Sequence, residues 1–289
     1  MADHKHVDEV SGVETTGHEW DGIRELNNPL PRWWLWTFYA TIVWALAYTI
    51  WYPAWPLISS ATTGLSGWSS RADLRASLAD AKAAQTDRLA QLEQMEVADI
   101  LANDDLRTFA AAGGKAAFKV NCVQCHGSGA QGAPGYPNLN DDDWIWGGSI
   151  DAIHQTIAYG VRQNNDETRI AEMPAFGRDE LLDRSQIDQV AWYVMKLSGQ
   201  EADAAKAETG ATVYAENCAA CHGDAGEGLP ETGAPRLADQ LWLYGGTHAD
   251  IVAQLSNPKH GVMPAWGERL GPVAVKQLAV YVHGLGGGQ

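Results

Sequence analysis

All four cysteines of this 289-residue chain fall in two copies of one pattern, Cys-x-x-Cys-His: Cys122, Cys125 and His126, then Cys218, Cys221 and His222. Two thiols three positions apart can form thioethers with the two vinyl groups of one haem, and the adjacent His then lies under the iron. A redox Cys-x-x-Cys pair wants a strand–helix–strand setting, and a zinc site wants four grouped ligands. The sequence offers neither. The pattern therefore calls for two covalently bound haem c groups. Cys122, Cys125, Cys218 and Cys221 are the attachment points, and His126 and His222 are the proximal iron ligands.

The motif is embedded in a longer repeat. Gly114 to Phe118 and Asn121 to Gly127 match Gly210 to Tyr214 and Asn217 to Gly223 at an offset of 96. Pro137, Leu139, Trp144, Gly147 and Gly148 match Pro235, Leu237, Trp242, Gly245 and Gly246 at an offset of 98. Met173-Pro174-Ala175-Phe176-Gly177 matches Met263-Pro264-Ala265-Trp266-Gly267 at an offset of 90, so the first copy carries eight more residues before its Met. Val190 to Val194 and Leu278 to Val282 close the series. Each copy is about 90 residues of short helical patterns and Gly/Pro-rich loops, too small for a large core unless a bulky apolar cofactor fills it.

A sixth iron ligand separates electron transfer from catalysis. Met173 and Met263 lie 47 and 41 residues after the His of their copies, each in a loop ahead of Pro-Ala-aromatic-Gly. A thioether there raises the potential and leaves no open position for substrate. Met195 reads as core, beside Val190 and Val194. His154, His248 and His260 are alternatives without a counterpart in the other copy. The sequence leaves open whether each Met serves the His of its own copy. A carbonyl at Pro137 or Pro235 can take the His Nδ1 proton. Trp144, Trp146, Trp242 and Tyr244 are candidates to pack on haem, and Arg162 and Arg236 to neutralise its propionates.

Charge divides the chain differently. The formal net charge is −16, from 20 Lys+Arg against 36 Asp+Glu, yet no charged residue stands between Trp33 and Ser70. A balance so acidic argues against nucleic acid and suits a cationic protein partner. The apolar run from Trp33, with Trp33, Trp34 and Trp36 at one end and Trp51, Tyr52 and Trp55 at the other, reads as a single membrane anchor with two aromatic belts. A buried helix of a water-soluble protein is the competing reading. Residues 71–106 are rich in Ala, Leu and Gln and free of Gly and Pro, which predicts a linker helix.

The order of motifs resembles two class I cytochrome c folds. The stretch from Asp21 to Trp34 (Asp-Gly-Ile-Arg-Glu-Leu-Asn-Asn-Pro-Leu-Pro-Arg-Trp-Trp) and the stretch from Asn138 to Trp144 resemble the dihaem subunit III of cbb(3)-type cytochrome c oxidases. That resemblance implies an all-α chain with one N-terminal transmembrane helix, a linker helix and two tandem class I cytochrome c domains. The expected divisions are a cytoplasmic segment at 1–32, the anchor at 33–58 and a periplasmic linker helix at 59–106. Cytochrome domains follow at 107–199 and 200–289. It implies residence in a bacterial inner membrane, single-pass, with the N-terminus cytoplasmic and the haem domains periplasmic, where thioethers form. Electrons would pass from a cytochrome c donor through this chain to a monohaem subunit. They would then reach the catalytic haem–copper subunit, which reduces oxygen and pumps protons. Membrane lipid and these subunits are the implied partners, and the chain has no catalytic residue of its own. The rival reading is a free-standing anchored dihaem carrier, or the cytochrome subunit of a periplasmic dehydrogenase.

Overall fold

The computed structural model describes residues 6–286. Residues 1–5 and 287–289, the outermost parts of the expected N-terminal segment and second cytochrome domain, lie outside the described residues. The chain forms two compact units, one ending at Ala84 and the other beginning at Gln85.

The first unit corrects the all-α expectation. Strands β1 (Thr15–Trp20) and β2 (Ile23–Leu26) pair antiparallel around Asp21-Gly22, both of which take positive φ, +51° and +85°. Asp-Gly between two such runs is a strong local hairpin signal, because this turn needs left-handed backbone at both central positions. Helix α1 (Arg32–Trp51) starts directly after Pro31 and stops at Tyr52, whose extended backbone precedes Pro53. A residue before proline is pushed out of the helical region.

The helix falls where the apolar run lies, but the spanning anchor over 33–58 is overturned. Among the described residues no helix is long and apolar enough to cross a membrane. The reason is composition. Five Trp, two Tyr and three Thr occupy the 20 residues of α1, and rings with a polar handle favour a headgroup zone over hydrocarbon. None of its residues is buried within the chain.

The single linker helix is also corrected. The region forms α2 (Ser70–Ala83), α3 (Thr86–Gln94) and α4 (Val97–Ala102), of which α2 closes the first unit. In the second unit, α3 and α4 bury Leu92, Val97 and Ile100. The break between them is sealed from far along the chain. The Lys276 ammonium donates to the carbonyls of Leu92, Glu93 and Met95 at 3.1, 3.0 and 2.6 Å, replacing the helical donors those carbonyls lack.

After them come α5 (Asp104–Asn121), α6 (Val123–His126), α7 (Ile150–Tyr159) and α8 (Arg184–Leu197) from the first repeat. The second repeat supplies α9 (Ala204–Asn217), α10 (Ala219–His222), α11 (His248–Ser256), α12 (Gly267–Leu270) and α13 (Pro272–His283). Two apolar cores form, and neither belongs to one repeat. In the first, α5 packs on α13, with α7 and α12 beside them: Leu106, Phe118, Ile153 and Ile157 meet Val275, Leu278 and Val282. In the second, α8 packs on α9 with α11: Ile187, Val190 and Val194 meet Val213, Tyr214, Ile251 and Leu255. The two crossings repeat one geometry. Phe118 and Tyr281 lie 5.4 Å apart between ring centres, and Tyr214 and Tyr193 lie 5.1 Å apart. Each repeat thus gives its Cys-x-x-Cys-His half to one core and its Met half to the other.

Candidate haem sites

The two Cys-x-x-Cys-His segments take the same local form. Cys122 and Cys218 follow the last residues of α5 and α9, and a single helical turn, α6 or α10, carries the second Cys and the His. Backbone N–H groups of His126 and His222 bond the carbonyls of Cys122 and Cys218 at 3.0 and 2.9 Å, which puts both thiols of a motif on one side of the turn. No disulfide joins them. Burial, with the neighbouring Cys adding to it, pushes the thiols of Cys122 and Cys218 up to about 11. A redox pair needs the opposite shift, toward thiolate. Nor is there, among the described residues, a group of three or more His, Cys, Asp and Glu able to hold a bare metal ion.

Both histidines are oriented as their spacing to proline predicts. His126 Nδ1 lies 3.1 Å from the Pro137 carbonyl, and His222 Nδ1 lies 2.9 Å from the Pro235 carbonyl. A carbonyl only accepts, so Nδ1 carries the proton and Nε2 keeps its lone pair for a metal. Burial lowers the pKa of both rings, against the smaller opposing effect of the proline hydrogen bond. Neutral imidazole is the form that ligates iron. The donor set fits haem c on both counts, free thiols on one turn and an oriented neutral imidazole beside them.

The methionines are placed crosswise. Met263 packs against the core that holds Cys122, Val123, Leu139 and Trp144. Met173 packs against the core that holds Cys218, Ala219, Leu237 and Trp242. The Met263 backbone pairs with Val161, the N–H of each bonding the carbonyl of the other at 2.9 and 3.1 Å. Gly160, at φ +72°, makes that approach possible, since a Cβ there would strike the Met263 carbonyl.

Other candidates are engaged elsewhere. His248 stacks on Trp192, centroids 4.1 Å apart, and its Nε2 is 3.3 Å from an Asp188 carboxylate oxygen. His154 sits half-buried on α7, with Lys276 and Glu96 in its field. His260 Nε2 accepts the Met173 backbone N–H at 3.2 Å. Of the four candidate aromatics, Trp144 and Trp242 join the cores. Trp146 instead lies under the Arg169 guanidinium at 5.8 Å, and Tyr244 hydrogen-bonds the Gly261 backbone. Arg236 pairs loosely with Asp239 at the surface, 3.7 Å away, and Arg162 reaches backbone carbonyls.

Known proteins are similar in sequence to this chain along its whole length. The family described as cytochrome c oxidase, cbb3-type, subunit III matches residues 109–194 and 205–282. This chain belongs to that family. Residues 12–59 match the N-terminal domain of cytochrome oxidase-cbb3, FixP, which covers the hairpin and α1. The cbb3-type cytochrome c oxidase subunit FixP of Sinorhizobium medicae is 58% identical over 100% of both chains. The FixP of Bradyrhizobium diazoefficiens is 53% identical over 100% of both, and the CcoP of Cereibacter sphaeroides is 53% identical over 95% of both. The cbb3-type subunit III is a cytochrome c electron-transfer subunit of its oxidase, and haem c is its cofactor.

Proposed function

We propose that this chain carries two haem c groups in series and relays electrons within a bacterial cbb3-type oxidase. Electrons come from a cytochrome c donor and leave through a monohaem subunit to the catalytic haem–copper subunit, which reduces oxygen and pumps protons. One observation carries the reading: each of the two cores gathers one Cys-x-x-Cys-His turn and one Met-Pro loop. A haem held in such a core supplies a one-electron iron couple, and methionine opposite histidine raises its potential and closes the sixth position to substrate. Cys122 and Cys125 attach the first haem, and Cys218 and Cys221 the second. Across the repeats, His126 and Met263 would hold one haem iron, and His222 and Met173 the other. Thioether formation puts the haem-bearing unit on the periplasmic side of the inner membrane. The uncovered apolar surface of α1 is where lipid and oxidase subunits lie against the chain. The acidic surface, −16 overall, draws in a cationic donor and mainly raises its encounter rate.

A single-haem background tests the pairing. With Cys122 and Cys125 both replaced by Ala, only the haem on His222 remains. In that background Met173→Ala should abolish the red absorption band of methionine–iron ligation and let the reduced iron bind carbon monoxide, while Met263→Ala should leave both properties intact. The reverse result would assign each Met to its own repeat. Loss of neither property would remove methionine as the sixth ligand.

A further inference from the structure

Arg162 and His260 stand at equivalent places, separated by the offset of 98 that also relates Pro137 to Pro235. Each follows the third helix of its haem-attachment half, α7 or α11. Each also reaches the methionine loop of the other repeat. Arg162 Nη1 donates to the Gly261 carbonyl at 2.7 Å, two residues before Met263. His260 accepts the backbone N–H of Met173 itself. Arg162 does more, because its Nε and Nη2 also donate to the Ala171 carbonyl at 3.0 and 2.5 Å, two residues before Met173. One part-buried guanidinium therefore ties the two methionine loops to each other.

The seat for that guanidinium is built by the eight residues that only the first repeat contains. Arg162 is one of four described non-glycine residues with positive φ, +56°, which turns its side chain back over the loop it opens. The loop closes on itself. Arg162 N–H bonds the Arg169 carbonyl at 2.9 Å, Arg169 N–H bonds the Gly160 carbonyl at 3.1 Å, and the buried Thr168 hydroxyl donates to the Gly160 carbonyl at 3.0 Å. This fold-back delivers Ala171 beneath the fork. Arginine suits the position because its donors are fixed in one plane and its charge strengthens each bond, whereas lysine offers a single rotating ammonium.

Resting on the proposal that Met173 and Met263 are iron ligands, we propose that Arg162 is a positioning residue for both sixth ligands at once. It locks the two methionine loops into one body, with His260 as its counterpart on the Met173 side alone. The sequence-level alternative, neutralisation of a haem propionate, needs only the positive charge and acts on one haem.

The test uses the haem-loaded full-length chain with Arg162→Gln, Arg162→Lys and His260→Ala, alongside Met173→Ala and Met263→Ala. Readouts are the red methionine–iron band, carbon monoxide binding by the reduced protein, and the two reduction potentials. Haem content and far-ultraviolet circular dichroism check folding. Arg162→Gln should weaken the band at both haems, lower both potentials and open both reduced irons to carbon monoxide. Arg162→Lys should not restore them, and it carries the test alone if the Gln variant fails to accumulate. His260→Ala should affect only the haem whose band Met173→Ala removes. Full rescue by Lys, or a change confined to one haem in both Arg162 variants, overturns the proposal. If the Met variants lose the band and the Arg162 variants keep it, the clamp alone is wrong. If the Met variants keep it, the ligand reading fails and takes the clamp with it.

Discussion

At the residue scale the two cores depend on missing atoms. Gly114 on α5 and Gly210 on α9 are equivalent in the repeat, and each lies against the backbone of the helix it crosses. A Cβ at Gly114 would strike the Gln277 carbonyl, and one at Gly210 would strike the Gln189 carbonyl. Backbone in the middle of a helix cannot rotate aside, so the pair of helices must separate. Alanine gains about 1 kcal/mol over glycine from helix propensity, but overpacking costs about 1–3 kcal/mol, and more where the neighbour is rigid. Gly114→Ala should therefore lower the thermal midpoint. Gly113→Ala is the control on the same helix: its Cβ meets only the side-chain amide of Gln277, which can swing away. It should leave the midpoint unchanged or raise it. Equal losses in the two variants, followed by circular dichroism, would mean that the crossing is not set by this contact.

At the scale of elements, the caps and the core faces decide which helix holds which site. Asp183 accepts the Gln186 N–H at 2.9 Å, Gln186 Oε1 accepts the Asp183 N–H at 3.0 Å, and this capping box starts α8. Removing it with Asp183→Ala should cost about 1 kcal/mol. Because α8 packs on α9, native-state hydrogen exchange should speed up in that pair and leave α5 and α13 unchanged; uniform acceleration would show one cooperative unit instead of two. The attachment chemistry was legible in the sequence because it is local: five residues place two thiols and an imidazole, and proline spacing gives the carbonyl that orients the ring. The Asp21-Gly22 hairpin is equally local, and its turn signal runs against an all-α reading. The partner of each methionine was not legible. The repeats present matching faces, Phe118 like Tyr214 and Tyr281 like Tyr193, so either pairing satisfies the pattern and only the packed chain chooses. The break between α3 and α4 escaped for a related reason, since the Lys276 that seals it lies far downstream.

For the whole second unit, crossed packing means that one core is nested in the other. Elements of the second core are continuous in the chain, from the Met173 loop through α8, α9 and α10 to α11. The first core begins at α3, is interrupted after α7, and resumes at Met263 with α12 and α13. Two tandem domains would let a chain ending at Gly199 keep a complete first cytochrome. Nesting forbids this. Such a chain loses α13, whose Val275, Leu278, Ala279, Val280 and Val282 are all buried. At about 1.5–3 kcal/mol for each large apolar side chain, that loss is on the order of 10 kcal/mol, comparable to the entire stability of a small domain. It also leaves Leu106, Ala110 and Phe118 of α5 without their partner. The 1–199 chain should therefore show no near-ultraviolet circular dichroism from fixed aromatics and no cooperative thermal transition. Residues 200–289 supplied as a separate chain should restore both, because the two pieces together bring α5 to α13 and α8 to α9 and so complete both apolar crossings. A cooperative, well-packed 1–199 chain would show that each repeat closes on itself, and it would return Met173 to His126.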